Sequence, residues 1–215
     1  MEYPKIETLF NRDEKTFKVK EEEIRLPEFS NVKKWWVTEK IDGTNMHVLH
    51  EKGHQTVEIL GRTHNAQIPT FLLKYMQETF TSEKIEQAFP DADNNVVIEL
   101  YGEGYGARIQ KGGNYRPKDV SFRLIDVRVG DWWLEPENIE DVAQKMGVKT
   151  VPVIGVMTLE EAVQFIKSKP TSIVAKEDGG NSKYPMEGIV ARSFPLMLRR
   201  NGERIIWKLK IKDFG

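Results

Sequence analysis

The chain has 215 residues, 39% hydrophobic and 30% charged, with 32 basic against 33 acidic side chains and a net charge of −1. That is room for one domain, or one with a small lobe, and the balance excludes holding a polynucleotide by bulk charge, so such a partner must meet a local basic patch with salt-sensitive affinity. The absence of cysteine excludes disulfides, thiolate metal sites and cysteine nucleophiles, and without a long apolar run or a secretory start in MEYPKIETLF the expected location is cytoplasmic, with no membrane partner.

Residues 1–34 are polar and mixed, and Glu21-Glu22-Glu23 reads as solvated surface. Strand-like apolar runs follow at 35–39, 46–50 and 56–60. Between the first two lies Thr38-Glu39-Lys40-Ile41-Asp42-Gly43-Thr44-Asn45, where Gly43 lets the backbone turn and rigid neighbours hold Lys40 at a strand end. Such a lysine is either a reactive group or one solvated charge of a plain hairpin turn. A helix of irregular spacing is expected within 69–89, and strands at 95–101 and 121–129. Ile139, Val142, Ala143 and Met146 are spaced for a helix that Gly147 stops. Leu159, Ala162, Val163 and Ile166 repeat the pattern behind a capping box of Thr158 and Glu161. The run 176–184 reads as an exposed loop, and 188–192 and 205–212 as strands. The expectation is mixed α and β in one piece, 1–215.

Several polar groups sit where such strands would prefer core residues. Lys208 and Lys210 alternate with Trp207, Leu209 and Ile211, so a strand gathers the lysines on one face and the apolar three on the other. Adjacent ammonium groups repel by roughly a few tenths of a kcal/mol. A phosphate between them relieves this, and the alternative is an edge strand guarded by lysines. Glu99 follows three apolar residues and Glu187 precedes an apolar run. Carboxylates so placed face water, or hold a divalent cation, a ribose hydroxyl or an ammonium group. Arg62 is surface decoration or a bidentate phosphate clamp. Asp126, an acid inside an apolar strand, needs a partner. Together these groups suit a lysine that attacks phosphorus. A free lysine has a pKa of about 10.4, so roughly one in a few thousand is neutral at pH 7. Neighbouring lysines and a dry pocket favour the neutral amine. Carboxylates holding Mg²⁺ would shield a triphosphate and steady the pyrophosphate leaving group. On this reading Lys40 becomes covalently nucleotidylated.

Lys40-Ile41-Asp42-Gly43 resembles the signature of covalent nucleotidyltransferases, the superfamily of RNA ligases, DNA ligases and mRNA capping enzymes. Arg62, Glu99-Leu100-Tyr101-Gly102, Ile125-Asp126, the EGIVAR of 187–192 and Lys208-Leu209-Lys210 follow in that superfamily's order. DNA ligases and capping enzymes usually carry arginine where this chain has Asn45. The stretch EKIDGTN, with YPKIETLF and GERIIWKLKIKDF at the two ends, is similar to phage and bacterial members of the RNA ligase family. The resemblance implies an α+β, ATP-grasp-like nucleotidyltransferase domain with antiparallel sheets flanked by helices. It implies an ATP-dependent RNA ligase that joins 5′-phosphate and 3′-hydroxyl ends through lysyl-AMP and an adenylylated 5′ end. Lys40 would carry AMP and Glu39 would lie against the adenine. Asp42, Gly43 and Asn45 would shape the nucleophile loop, and Arg62 would meet ribose or phosphate. Glu99 would bind the ribose, Ile125 would flank the base, and Lys208 and Lys210 would contact the α-phosphate. Glu187, with Glu99, would organise Mg²⁺ or Mn²⁺.

Two departures qualify the likeness. The family often stacks an aromatic residue on the adenine where this chain has Ile125, so weaker ATP binding is expected. The sequence stops at Gly215, shortly after Lys210, where ligases generally carry a further domain. Self-adenylylation and sealing of pre-activated ends are therefore expected to proceed more readily than the full reaction, with a separate protein as a possible source of that domain. The rivals are a minimal DNA ligase or end-adenylylating enzyme of the same superfamily, and a non-catalytic nucleotide- or RNA-binding module. The implied home is the cytoplasm of a bacterium or a phage-infected cell.

Residues 102–113 contain neither GxGxxG nor GxxxxGK[ST] and read as a flexible loop. Arg108, Lys111, Tyr115 and Arg116 form there either an RNA-contacting patch or ordinary surface charge. Histidines 47, 50, 54 and 64 show no metal spacing and read as structural or exposed, and Trp132 and Trp133 read as core.

Overall fold

The computed structural model describes residues 3–63 and 66–214, so His64 lies outside the described residues. In chain order the elements are β1 (Glu7–Thr8), β2 (Phe10–Arg12), β3 (Val19–Ile24), α1 (Pro27–Asn31), β4 (Trp35–Lys40), β5 (Thr44–Glu51) and β6 (Val57–Gly61). Then come α2 (Thr70–Thr79), α3 (Ser82–Ala88), β7 (Val97–Gly106), β8 (Val120–Val129), β9 (Trp132–Trp133), α4 (Pro136–Met146) and β10 (Lys149–Thr150). The chain closes with β11 (Val153–Met157), α5 (Leu159–Lys167), α6 (Ile173–Glu177), β12 (Gly188–Ser193) and β13 (Ile206–Lys210). These elements gather into two compact units. Unit 1 holds Met1–Tyr3 and Asp42–Val151, and unit 2 holds Pro4–Ile41 and Pro152–Gly215.

Unit 1 is built on a sheet ordered β10-β8-β7-β5-β6, with β9 added to β8. Its pairs are antiparallel apart from β10 with β8. Alternation sends Met46, Val48, Ile98, Leu100, Phe122 and Leu124 to one face, where they pack on Leu72, Met76, Ile85, Ile139, Val142 and Met146 of the helices. A β-bulge interrupts the alternation in β8. Tyr101 pairs with Asp126 but Gly102 pairs with Leu124, which leaves Ile125 as the extra residue. The core face therefore runs Phe122, Leu124, Val127, and Asp126 escapes to the other face.

Unit 2 is a sheet ordered β1-β13-β12-β4-β11, all antiparallel except β1 with β13. Trp35, Val37, Ile189, Ala191, Trp207 and Leu209 meet Ala162, Val163 and Ile166 of α5 in its core. The Trp35 and Trp207 rings cross edge-on at 5.4 Å. The capping box at the start of α5 is formed: Glu161 N donates to Thr158 Oγ1 at 3.2 Å, and Thr158 N donates to Glu161 Oε2 at 2.8 Å.

Several expectations need correction. Residues 1–34 are more than polar surface, because β1 extends the unit 2 sheet and Leu9 and Phe29 enter its core. The region 69–89 holds two helices, divided at Phe80 and Thr81, and the Thr81 hydroxyl caps the second. Strand β11 had no alternating signal to announce it. Trp132 is 79% exposed rather than core.

Candidate active site

In unit 2, Lys40 is the last residue of β4. Gly188 pairs with Lys40 on one side and Lys210 on the other, so the three lie in one row across the sheet. The glycine is required there, since a Cβ at 188 would stand 2.1 Å from the Leu209 carbonyl oxygen. Cross-strand partners share a face, so the two lysines flank a bare backbone. Both reach Glu187, Lys40 Nζ to Oε2 at 2.6 Å and Lys210 Nζ to Oε1 at 2.5 Å. One row along, Val190 pairs with Thr38 and Lys208, which puts Lys208 on the same face about 7 Å from Lys210. From the sequence, neighbouring lysines and a dry pocket were expected to act on Lys40, with Glu187 placed to organise a metal ion. The structure also sets the Glu187 carboxylate directly against its amine, 2.6 Å away.

Two residues that sequence reasoning missed hold this row in place. Asp213, buried, accepts from the Lys210 amide at 2.8 Å and pairs with Arg12 at 2.8 Å. Nothing local in either stretch signals a partnership across most of the chain. Glu39, expected against adenine, points to the opposite face from Lys40. Its carboxylate accepts from the Ser172 hydroxyl and from the amides of Ile173 (2.8 Å) and Val174 (3.2 Å), anchoring the first turn of α6.

In unit 1, the start of the loop after Lys40 is pinned. The Asp42 amide donates to the Tyr115 hydroxyl at 3.1 Å and the Gly43 amide to Glu103 Oε1 at 3.1 Å. A side chain at 43 would meet the Gly104 carbonyl oxygen at 2.4 Å. Tyr115 is thus buried and structural, not part of a surface patch, and Arg116 is paired with Asp119. Arg108 and Lys111 remain on the exposed loop. The Asn45 Oδ1 atom is buried with no hydrogen-bond partner among the described residues. Arg62 lies exposed just past β6 and makes no ion pair among the described residues.

Glu99 lies on the non-core face of the unit 1 sheet. Tyr101 Oη donates to its Oε1 at 2.7 Å and Arg128 Nη1 to its Oε2 at 3.1 Å. His47 Nε2 stands 3.2 Å from Oε1, too poorly aligned for a hydrogen bond, and its ring stacks on Tyr101 at 4.4 Å. Burial works to raise the Glu99 pKa, but the polar and charged groups around it, with the nearby His47 ring and the Tyr101 hydroxyl first among them, outweigh it and bring it to about 2. The same burial, with Glu99 beside it, pushes the Tyr101 phenol up. Glu99 is only 2% exposed and both of its oxygens face donors, one of them a guanidinium, so it offers no open side to a metal ion. A ribose hydroxyl reaches it only by displacing one of these neighbours. Asp126 accepts from the Tyr3 hydroxyl, and Ile125, half-buried, sits at the bulge beside it. Among the described residues no three His, Asp or Glu side chains are grouped closely enough to cage a metal ion.

The RNA ligase family model matches residues 33–210, which include Lys40, Glu99, Glu187 and Lys210. The chain belongs to the RNA ligase family. No curated protein matches it in sequence. Among solved structures it is similar to a variant of Naegleria gruberi RNA ligase with ATP and Mn, at 18% identity and a TM-score of 0.65, covering 98% of this chain and 56% of that one. It is also similar to Naegleria gruberi RNA ligase with PPi, at 21% identity and a TM-score of 0.61, covering 97% and 61%. A further variant with AMP and Mn aligns at 19% identity with a TM-score of 0.61, covering 96% and 61%. The likeness shows the fold, the α+β ATP-grasp-like nucleotidyltransferase fold expected from the motifs. This RNA ligase family chain spans little more than half the length of those ligases.

Proposed function

We propose that the chain is an ATP-dependent RNA ligase, both units together forming one nucleotidyltransferase domain, with Lys40 as the residue that takes AMP. The observation that carries this reading is the convergence of Lys40 and Lys210 on Glu187 from either side of Gly188. Before attack the Lys40 ammonium must lose a proton, and Glu187 is placed to take it at 2.6 Å. The freed amine forms a bond to the α-phosphorus of ATP. The bond from that phosphorus to the bridging oxygen breaks, and pyrophosphate leaves with the electron pair. Lys210, released from Glu187, and Lys208 face the phosphate and offset the charge that builds on it. The AMP then passes to an RNA 5′-phosphate, and a 3′-hydroxyl displaces it to leave a phosphodiester.

A divalent cation, Mg²⁺ or Mn²⁺, fits one place in this scheme. Mg²⁺ is commonly bound by one or two carboxylates plus substrate phosphates, and Glu187 is the carboxylate next to the lysines. Once bound it would neutralise triphosphate charge. Glu99 does not suit a metal, for the reasons given by its donors.

Sealing of matched RNA and DNA strands bearing 5′-phosphates tests the substrate class. RNA joined faster than DNA is the expected result, and equal or faster DNA joining would replace this reading with a DNA ligase. Omitting the nucleic acid tests the non-catalytic reading, which requires that ATP leave no AMP on the protein.

A further inference from the structure

The face of the unit 2 sheet that carries Lys40 continues into an aromatic strip that the ligation chemistry does not use. Alternation turns Trp35, Val37 and Glu39 of β4 inward and leaves Trp36, Thr38 and Lys40 on the other face. The register sets Val156 of β11 beside Trp36. Phe194, one residue past β12, stacks on Trp36 with ring centroids 6.2 Å apart and planes 26° apart. Its amide donates to the Lys34 carbonyl oxygen at 2.9 Å, which ties the loop to the segment entering β4. Phe194 is 47% exposed, Val156 40% and Leu198 53%. Lys33 and Lys34, in the segment that leads into β4, and Arg200, in the loop that begins at Phe194, are exposed and make no ion pair among the described residues. Of the acids near these cations, Glu28 and Glu203 are held by Arg199, and Glu161, which feels the charge of Lys34, is engaged in the capping box with Thr158.

Cations bordering exposed aromatic faces fit a single-stranded nucleic acid, whose bases stack while its phosphates meet the charges. A protein partner fits less well, because lysine is depleted from protein interfaces. We propose that the Trp36–Phe194 strip is a stacking platform for unpaired RNA nucleotides next to the reacting end. It rests on the reading of Lys40 as the residue that takes AMP, and lies about 13 Å along β4 from it, so it grips substrate without touching the chemistry.

Phe194→Ala is the direct variant, because an exposed ring can be removed without opening the core. Binding of a fluorescent single-stranded RNA, measured by anisotropy without ATP, should weaken roughly ten-fold, as loss of one stacked base implies. Phe194→Trp should restore it, while labelling of Lys40 by ATP stays at the wild-type rate in both. RNA binding unchanged in Phe194→Ala would overturn the proposal. So would an altered oligomeric state with RNA binding intact, which would mark the strip as a protein interface. Because binding is read without ATP, failure of the ligase reading shows separately, as a wild-type protein that takes no label.

Discussion

Glu187 holds two ammonium groups at once, and its removal therefore has two consequences. Glu187→Gln keeps the shape but leaves Lys40 and Lys210 on one bare row of the sheet with no carboxylate between them. With its proton acceptor gone, AMP transfer to Lys40 should slow by about 10²-fold or more, measured as the rate at which label enters the protein. A variant that labels as fast as wild type would remove Glu187 from the reaction. Glu99 makes a different kind of prediction. Its carboxyl is depressed from 4.5 to about 2 in the folded protein, so the stability it contributes is present above pH 4.5 and is lost as pH falls towards 2. Glu99→Gln should flatten the loss of thermal stability across that window, which a series of melting curves would reveal. Most candidate residues were legible one by one, because a lysine, a glycine and a carboxylate at strand ends break an apolar pattern. Their partners were not: the tie of Arg12 to Asp213, or of Glu39 to the first turn of α6, joins residues far apart in sequence that no spacing rule connects.

At the scale of elements, seven strand positions and both regularly spaced helices were readable, since an alternating or 3.6-residue period survives in each. The bulge in β8 was not. Strict alternation from Leu124 would bury Asp126 in the core, and only the extra residue at Ile125 returns the acid to the polar face. No residue type announces such an insertion. The short strand β1 was hidden for another reason: two residues are too few to show a period, and β1 is defined by its pairing with β13. Gly188 shows how one position serves element and site together. Gly188→Ala would drive a methyl group to 2.1 Å from the Leu209 oxygen, so β12 and β13 must part. The expected result is a melting point lowered by several degrees, from a cost of about 1–3 kcal/mol, with labelling reduced further because Lys40 and Lys210 move apart. Unchanged melting would show that the strands are not held as described.

For the whole molecule, one division could not be read from local pattern. The chain enters unit 1 after Ile41 and returns to unit 2 after Val151, so Lys40 and Asp42, two residues apart in one motif, belong to different units. Apolar periods mark elements, and which elements cluster depends on pairings between distant strands. Near-neutral net charge sets a further expectation for the whole chain. If Lys33, Lys34 and Arg200 are the cations that meet phosphate, log K for single-stranded RNA should fall against log salt with a slope of about −2. A much steeper slope would point to a wider basic surface.

In the proposed function the Lys40 amine, released from Glu187, forms the bond to AMP. Incubating the protein with ATP and Mg²⁺, then measuring intact mass after denaturation, tests it directly. The expected result is a gain of one AMP, mapped by peptide sequencing to Lys40 and absent from Lys40→Ala. No adduct, or an adduct that persists in Lys40→Ala, would contradict it.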